Sequence, residues 1–178
     1  MSLLNLHRLG FKVRAAFDGK LEEFIPVFHG WIQRKAVDGL LVDVADYSHL
    51  PNSPGVVLVG FEADRSMDAT EGPLGLLYMR KQPGAGLKDA LRATLDSCVK
   101  LEDELKGRLR FAPSDMLFIA NDRLAAPNTE AGWKAIEPEL KALLPKASIA
   151  RDASDPRRRL TARISGLAGD ARSLLAAL

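Results

Sequence analysis

The segment "LLVDVADYSHLPNSPGVVLVGFEADRSMDATEGPLGLLYMRK", residues 40–81, decides the predicted fold. It contains three short apolar runs, at 40–47, 55–63 and 74–81, and stretches rich in proline, glycine or charged residues separate them. Apolar runs of this length bounded by turn-forming residues are typical of β-strands. Because both connections are short, we expect the three strands to form an antiparallel meander.

Helical and strand patterns flank this meander. Residues 23–35 place apolar side chains at helical spacing, with Pro26 in the first turn, where proline is tolerated. Residues 86–107 carry one continuous apolar stripe that ends at Gly107, a residue type that favours a helix terminus. Ahead of both helices, the alternation of apolar and polar residues predicts a strand at 9–17.

The rest of the chain adds elements of both kinds. The segments "RLRF" and "DMLFIAN" predict a strand interrupted by the turn "APSD". Residues 129–144 form another helical stripe, which Pro138 is expected to kink or split in two. Three shorter elements follow: a strand at 147–150, a strand in "RRLTARISG" and a helix within 167–178.

The predicted order of elements, β-α-β-β-β-α-β-α-β-β-α, mixes strands and helices without strict alternation. Such an order favours the α+β class, with a mixed or mainly antiparallel sheet and helices packed mostly on one face. Residues 9–120 also fit an elaborated ferredoxin-like βαββαβ unit with an extra strand. We expect residues 1–178 to form a single domain, with 121–128 as the place of any subdivision.

Composition and charge narrow the functional classes. The 178 residues are 47% hydrophobic and 27% charged, which is typical of a globular domain. A net charge of +2 does not favour nucleic acid or an anionic membrane as the main partner. Cys98 is the single cysteine, so an intramolecular disulfide is excluded and a cytoplasmic location is expected. No apolar run in the sequence is long enough for a membrane helix.

Acidic residues and histidines recur in and around the predicted strands. In an antiparallel meander of suitable register, Asp43, Tyr47, Glu62, Tyr78 and Arg80 gather on one side of the sheet. Buried carboxylates are costly unless they are paired or bind a metal, and a carboxylate with a raised pKa can act as a general acid or base. The candidate ligand-binding residues are His29, Trp31, Asp43, Asp46, Tyr47, His49, Glu62, Asp64, Tyr78 and Arg80. The acidic residues and histidines of this set, together with Asp68, are also the candidate ligands of a divalent metal ion.

A structural interpretation of the same residues is the alternative. In it, each side chain ends a strand, closes a turn or pairs with a base: Asp43 or Asp46 at a strand end, Glu62 with Arg80 or Lys81, Asp64 and Asp68 at turns, His49 in an exposed loop, and His29 on a helix beside Trp31. The spacing of these residues matches no established metal or catalytic motif, which favours the structural interpretation over a metal site.

Two further patterns suggest weaker sites. "KQPGAGLKD" precedes a helix whose N-terminus, with Lys88, could hold an anion, but the third glycine of a phosphate-binding turn is missing. "DPRRRLTAR" contains the basic run 157–159, which favours a solvated strand edge over nucleic-acid binding because no aromatic residues are interleaved. The sequence contains no P-loop, HExxH, CxxC or GxSxG motif.

The segments "FHGWIQ", "LLVDVADYSHL", "PGVVLVGFEAD" and "GLLYMRK" together resemble a family of small bacterial proteins that has no assigned activity. The resemblance covers residues 9–120 and implies a bacterial, soluble, single-domain protein. The family pattern often has "GHE" where this chain has "GFE". Phe61 therefore stands in place of a histidine, and no metal role is expected at that position.

Two classes of function follow from these observations. The first is a small-molecule- or protein-binding module, with a homodimer as one form, and the balanced charge and the lack of catalytic motifs favour it. The second is a small hydrolase-like enzyme that uses the carboxylate and histidine cluster of 29–68, with or without a metal. Nucleic-acid binding through 157–159 is the least favoured, and the sequence leaves the identity of any cofactor unknown.

Overall fold

The structure is a computed structural model that describes residues 6–70, 72–84 and 86–178. The described residues form eight strands and four α-helices. In chain order these are β1 (Leu9–Phe17), α1 (Phe24–Arg34), β2 (Leu41–Asp46), β3 (Val56–Gly60), β4 (Ala63–Asp68), β5 (Gly75–Arg80), α2 (Leu87–Leu105), β6 (Leu109–Ala120), α3 (Glu130–Leu143), β7 (Ser148–Arg151), β8 (Leu160–Ser165) and α4 (Ala171–Ala177).

The eight strands form one sheet in the order β2-β3-β4-β5-β1-β6-β8-β7. Every neighbouring pair is antiparallel, which confirms the predicted α+β class and the mainly antiparallel sheet. β1 lies between β5 and β6 and is antiparallel to both, and α1 leads from β1 to β2 whereas α2 leads from β5 to β6. The two central strands of a ferredoxin-like βαββαβ unit are parallel, so the expectation of such a unit is wrong: four strands, and not two, lie between α1 and α2.

The helices cover one face of the sheet. α2 packs across β5, β1 and β6, α1 packs on β2 and β3, and α3 and α4 lie beside α2. The side chains of β1 that point to these helices, Leu9, Phe11 and Val13, are fully buried in the core. The opposite face, here called the helix-free face, has none of the described helices packed on it, and it carries both exposed side chains such as Arg14 and buried ones such as Lys12.

β4 occupies residues 63–68, where the sequence predicted only a connection between strands. Its sequence, "ADRSMD", has too little apolar character to predict a central strand. In the fold, Met67 is buried in the core, the Arg65 Nε–H donates to Ser97 Oγ at 3.0 Å, and Asp68 pairs with Lys12. These partners come from distant parts of the chain and stabilise the polar residues of 63–68 within the sheet. The meander therefore has four strands instead of three.

β6 runs unbroken through Leu109–Ala120, where the sequence predicted a strand interrupted by a turn. Its register against β1 pairs Val13 with Met116 but Arg14 with Ala112. Residues 113–115 therefore form a bulge that faces no residue of β1. A β-bulge bends its strand and re-aims a side chain, and this one lies at the site described below.

α3 is a single helix that continues through Pro138, so the predicted split of this segment does not occur. The Thr129 side chain accepts a hydrogen bond from the Gly132 N–H at 3.1 Å and caps the helix. Trp133, Ile136 and Leu140 bury its apolar stripe. None of the helices in residues 6–70, 72–84 and 86–178 is long and apolar enough to cross a membrane.

Candidate functional site

The meander does not bring the predicted polar cluster together. Tyr78 is in register with Phe11 of the buried core face, and Arg80 lies on the same face as Tyr78. Asp43 is opposite Val59, and its side chain lies on the helix-free face with that of Tyr47. The cluster divides because β4, the strand that the sequence did not predict, separates β3 from β5 and changes the register of the whole meander.

The carboxylates of β2 and of the β3–β4 hairpin each have a local structural partner. Asp43 Oδ1 accepts a hydrogen bond from the Val44 N–H at 2.7 Å. Hydrogen bonds from Ser48, whose N–H lies 2.8 Å from Asp46 Oδ1, lower the pKa of Asp46. Glu62 lies in the hairpin and accepts from the Leu40 N–H at 2.8 Å. The predicted pairing of Glu62 with a basic side chain is therefore replaced by a bond to the backbone.

Asp64 takes the basic partner instead. Lys81 Nζ donates to Asp64 Oδ1 at 2.8 Å, and the Gly60 N–H donates to the same oxygen at 3.2 Å. Both side chains are partly exposed. Asp64 thus joins the end of β5 to the β3–β4 hairpin, which agrees with the structural interpretation of this acid.

The remaining predicted residues are a mixture of surface and core groups. His29 on α1 and His49 in the β2–β3 loop are exposed, whereas Trp31 is fully buried and its Nε1–H donates to Glu104 at 3.4 Å. Within the described ranges, no group of three or more His, Cys, Asp or Glu residues is placed to hold a metal ion.

Tyr78 and Arg80 belong to the core between the sheet and α2. The guanidinium of Arg65 lies 5.2 Å from the centre of the Tyr78 ring, and burial raises the pKa of the Tyr78 hydroxyl. Arg80 is 2% exposed, and its Nη2 donates to the Leu6 carbonyl oxygen at 2.6 Å. Neither side chain reaches the helix-free face.

The glycine turn before α2 does not favour an anion. Its residues 84 and 86 lie on either side of residue 85, which is outside the described residues. Gly86 is the N-cap of α2, and its N–H donates to the Asp89 carboxylate at 3.2 Å. A carboxylate in the first turn already complements the positive end of the helix dipole.

A groove of ≈ 450 Å³ lies on the helix-free face, over β1, β6, β8 and β7. Its volume falls within the range of about 300–1,000 Å³ that is typical of small-molecule sites. The charged residues that border it are five basic and two acidic: Lys12, Arg14, Arg151, Arg158 and Arg163, with Asp115 and Asp152. No His, Cys or Ser is among the described residues that line it.

One row of cross-strand neighbours crosses the groove. Lys12 of β1 is in register with Leu117 of β6, Leu117 with Arg163 of β8, and Arg163 with Ala150 of β7. Side chains in register on adjacent antiparallel strands lie on the same face. Leu117 therefore lies between cations supplied by β1 and β8, and Ala150 lies beyond Arg163 on the edge strand β7. The two apolar side chains form the floor of the groove.

Asp115 of the β6 bulge lies between two arginines. Its Oδ2 is 3.3 Å from Arg14 Nη1, and its Oδ1 is 2.9 Å from Arg163 Nη2. The Arg14 and Arg163 side chains are 55% and 65% exposed, whereas that of Asp115 is 21% exposed. A guanidinium carries five N–H donors, so both arginines keep donors for a further acceptor.

A buried ion pair lies beneath the groove. Lys12 Nζ donates to Asp68 Oδ1 at 2.9 Å, and each side chain is 3% exposed. Thr70 donates to the same carboxylate through its N–H at 3.1 Å and its hydroxyl at 2.9 Å. This ion pair links the central strand β1 to β4. It lies near the end of the groove that residues 72–73 line.

Sequence reasoning missed this site, although one signal was present. In β1 and β8 the core residues alternate with Lys12, Arg14 and Arg163, so the alternation places basic side chains on the face opposite the core. Arg158, part of the basic run 157–159, also borders the groove and lies 3.9 Å from Asp152. The position of Asp115 could not be inferred, because "APSD" predicts a turn as readily as a bulge.

Comparison of the chain with known protein families, curated proteins and solved structures finds no match.

Proposed function

We propose that the protein is a binding module whose ligand is a small molecule held in the groove of the helix-free face. The observation that carries this proposal is the combination of a ≈ 450 Å³ groove, an apolar floor and charged side chains on its border. Small-molecule sites typically combine a mostly apolar lining with a few placed polar groups.

The framework of the groove supports binding without a large rearrangement. Its floor consists of central and neighbouring strands, and the strand order places β1, β6, β8 and β7 side by side. Sites built on strands hold their side chains more firmly than sites built on loops. A preorganised site loses less conformational entropy when the ligand binds.

The alternative, a hydrolase-like enzyme that uses the cluster of 29–68, has less support. Its acids accept hydrogen bonds from nearby backbone groups or from a lysine, and its two histidines are exposed. General acid–base catalysis needs such groups within hydrogen-bonding reach of one reacting centre. The groove itself offers basic groups and carboxylates but, among its described residues, no His, Cys or Ser nucleophile.

A groove-filling substitution tests the proposal. Ala150 is an exposed strand alanine in the groove, and Ala16 is an exposed strand alanine on the same face that does not line it. We expect Ala150→Trp to block the groove and Ala16→Trp to leave it open. Both variants should retain the fold, because tryptophan is well tolerated in strands.

The assay is a thermal-shift screen of the wild-type protein against a metabolite library. A ligand at 100 times its Kd adds about 2.7 kcal/mol of stability, or about 5–10 °C in Tm for a chain of this size. Ligands found with the wild type should still stabilise Ala16→Trp and should lose their effect on Ala150→Trp. A screen in which no stabilising ligand depends on residue 150 contradicts the proposal.

A further inference from the structure

We infer that the ligand is an organic acid or a phosphate ester, and that its carboxylate or phosphate is received by Arg14 and Arg163. This inference rests on the proposed function and names the chemistry of its ligand. It is drawn from the way in which the cations of the groove are partnered.

The groove concentrates positive charge. Five basic residues border it against two acidic ones, although the whole chain has a net charge of only +2. Clustered charge of one sign in a concave site raises the local concentration of counter-ions and favours a ligand of opposite charge.

Three of the five basic residues have acidic partners of their own. Lys12 is paired with Asp68, Arg158 lies 3.9 Å from Asp152, and the Arg151 guanidinium is 3.1 Å from Glu130. Arg151 Nη1 also donates to the Asn128 side chain at 3.3 Å. These contacts hold the three cations at the end or the border of the groove.

Arg14 and Arg163 differ because they share one acid. Asp115 contacts a single nitrogen of each guanidinium, and its one negative charge cannot neutralise two positive charges. More than half of each arginine side chain is exposed, so their remaining donors are accessible. Carboxylates and phosphates accept paired N–H bonds from guanidinium groups with favourable geometry.

The β6 bulge explains how this arrangement arises. Residues 113–115 leave the ladder with β1, whereas Asp115 stays in register with Ser165 of β8, so its side chain lies between Arg14 of β1 and Arg163 of β8. Asp115 contacts one nitrogen of each guanidinium, and its single negative charge offsets only part of their positive charge. Leu117 and Ala150, in the cross-strand row with Arg163, would contact the apolar part of the ligand.

Inorganic phosphate and citrate are suitable probes, with glycerol as a neutral comparison at matched ionic strength. We expect both anions to bind the wild-type protein in isothermal titration and glycerol to show no binding. Arg14→Gln and Arg163→Gln should each weaken anion binding about tenfold or more, because each removes charged hydrogen bonds to the anion. Arg110→Gln is the matched control, since Arg110 is an exposed strand arginine of β6 that does not line the groove.

Asp115→Asn gives a readout of opposite sign. Removing the negative charge between the two arginines should tighten phosphate binding about fivefold or more, because the like charge no longer repels the anion. A merely structural salt bridge predicts no gain in affinity. Circular dichroism on each variant confirms the fold, and the arginine variants keep the test decisive if Asp115→Asn fails to fold.

The inference is overturned if Arg14→Gln and Arg163→Gln bind the anions as tightly as Arg110→Gln does. It is also overturned if Arg110→Gln loses as much affinity as they do, since binding would then follow surface charge alone. A neutral ligand that depends on residue 150 but not on Arg14 or Arg163 would overturn the inference and leave the proposed function in place. If no ligand depends on residue 150, the proposed function itself fails.

Discussion

Replacement of Lys12 by methionine should destabilise the protein strongly, because it leaves a carboxylate buried without its cation. Lys12 and Asp68 are each 3% exposed and their charged atoms are 2.9 Å apart. Removing one partner of a buried ion pair costs about 3–5 kcal/mol. Thr70 still donates its N–H and hydroxyl to Asp68, so we expect the lower end, about 3 kcal/mol, or about 6–12 °C in Tm.

Urea denaturation measures this loss as a lower midpoint at an unchanged slope. The matched control is Lys141→Met on α3, because Lys141 pairs with Glu137 in an exposed i,i+4 pair at 2.8 Å. That substitution should cost about 0.5 kcal/mol or less. The double variant Lys12→Met/Asp68→Asn removes both charges and should recover at least about 1 kcal/mol relative to the sum of the single variants.

A cost for Lys12→Met within the range of the exposed control would refute this reasoning. It would mean that water and Thr70 together satisfy the Asp68 carboxylate without Lys12.

Two further predictions concern a glycine and an acid. Gly132→Ala in α3 should destabilise the protein by about 2 kcal/mol or more, because the new Cβ would lie 2.1 Å from the Pro127 carbonyl oxygen. Gly30→Ala in α1 is the control: its Cβ would meet only the flexible Arg34 side chain, so this variant should stabilise the protein by about 0.5–1 kcal/mol. Chemical denaturation of both variants measures the difference. Hydrogen bonds from Arg108 lower the pKa of Glu23 from 4.5 to about 2, so the stabilisation from this carboxylate is complete above pH 4.5 and is lost as the pH falls to about 2. The free energy of unfolding of Glu23→Gln should therefore decrease less than that of the wild type between pH 4.5 and about 2. An NMR titration in which the Glu23 carboxylate titrates near 4.5 would contradict the lowered pKa.

The elements that the sequence predicted correctly are those whose signal is local. The helix of 86–107 has an apolar stripe over many turns, and it appears as α2, Leu87–Leu105. The alternation in "RRLTARISG" appears as β8, with Leu160, Ala162 and Ile164 fully buried on one face. In both segments the spacing of apolar residues along the chain is enough to predict which side chains are buried. No information on distant partners is needed.

β4 and the groove could not be predicted for the opposite reason. The polar residues of "ADRSMD" are stable in a central strand only because Ser97 and Lys12 reach Arg65 and Asp68 from other elements. Arg14 and Arg163 of the groove are 149 residues apart in sequence, and they meet only through the strand order and the bulge that carries Asp115. Register and strand order are properties of the whole sheet, and a pattern within one segment does not determine them.

The acids of residues 40–47 suggested a catalytic cluster, but their position at the edge of the sheet gives them a structural role. The Tyr47 N–H donates to the carbonyl oxygen of Gly55, the residue before β3, so the N–H of Tyr47 points toward β3. By alternation the N–H of Val44 points away from β3, toward the unpaired edge. Asp43 accepts that N–H at 2.7 Å, and Val42 beside it is 60% exposed. An exposed apolar edge strand is a template for unwanted strand pairing, and a charged side chain that occupies its free donor blocks that pairing. An acid inside an apolar run therefore indicates an edge strand as readily as an active site, and strand order is what decides between them.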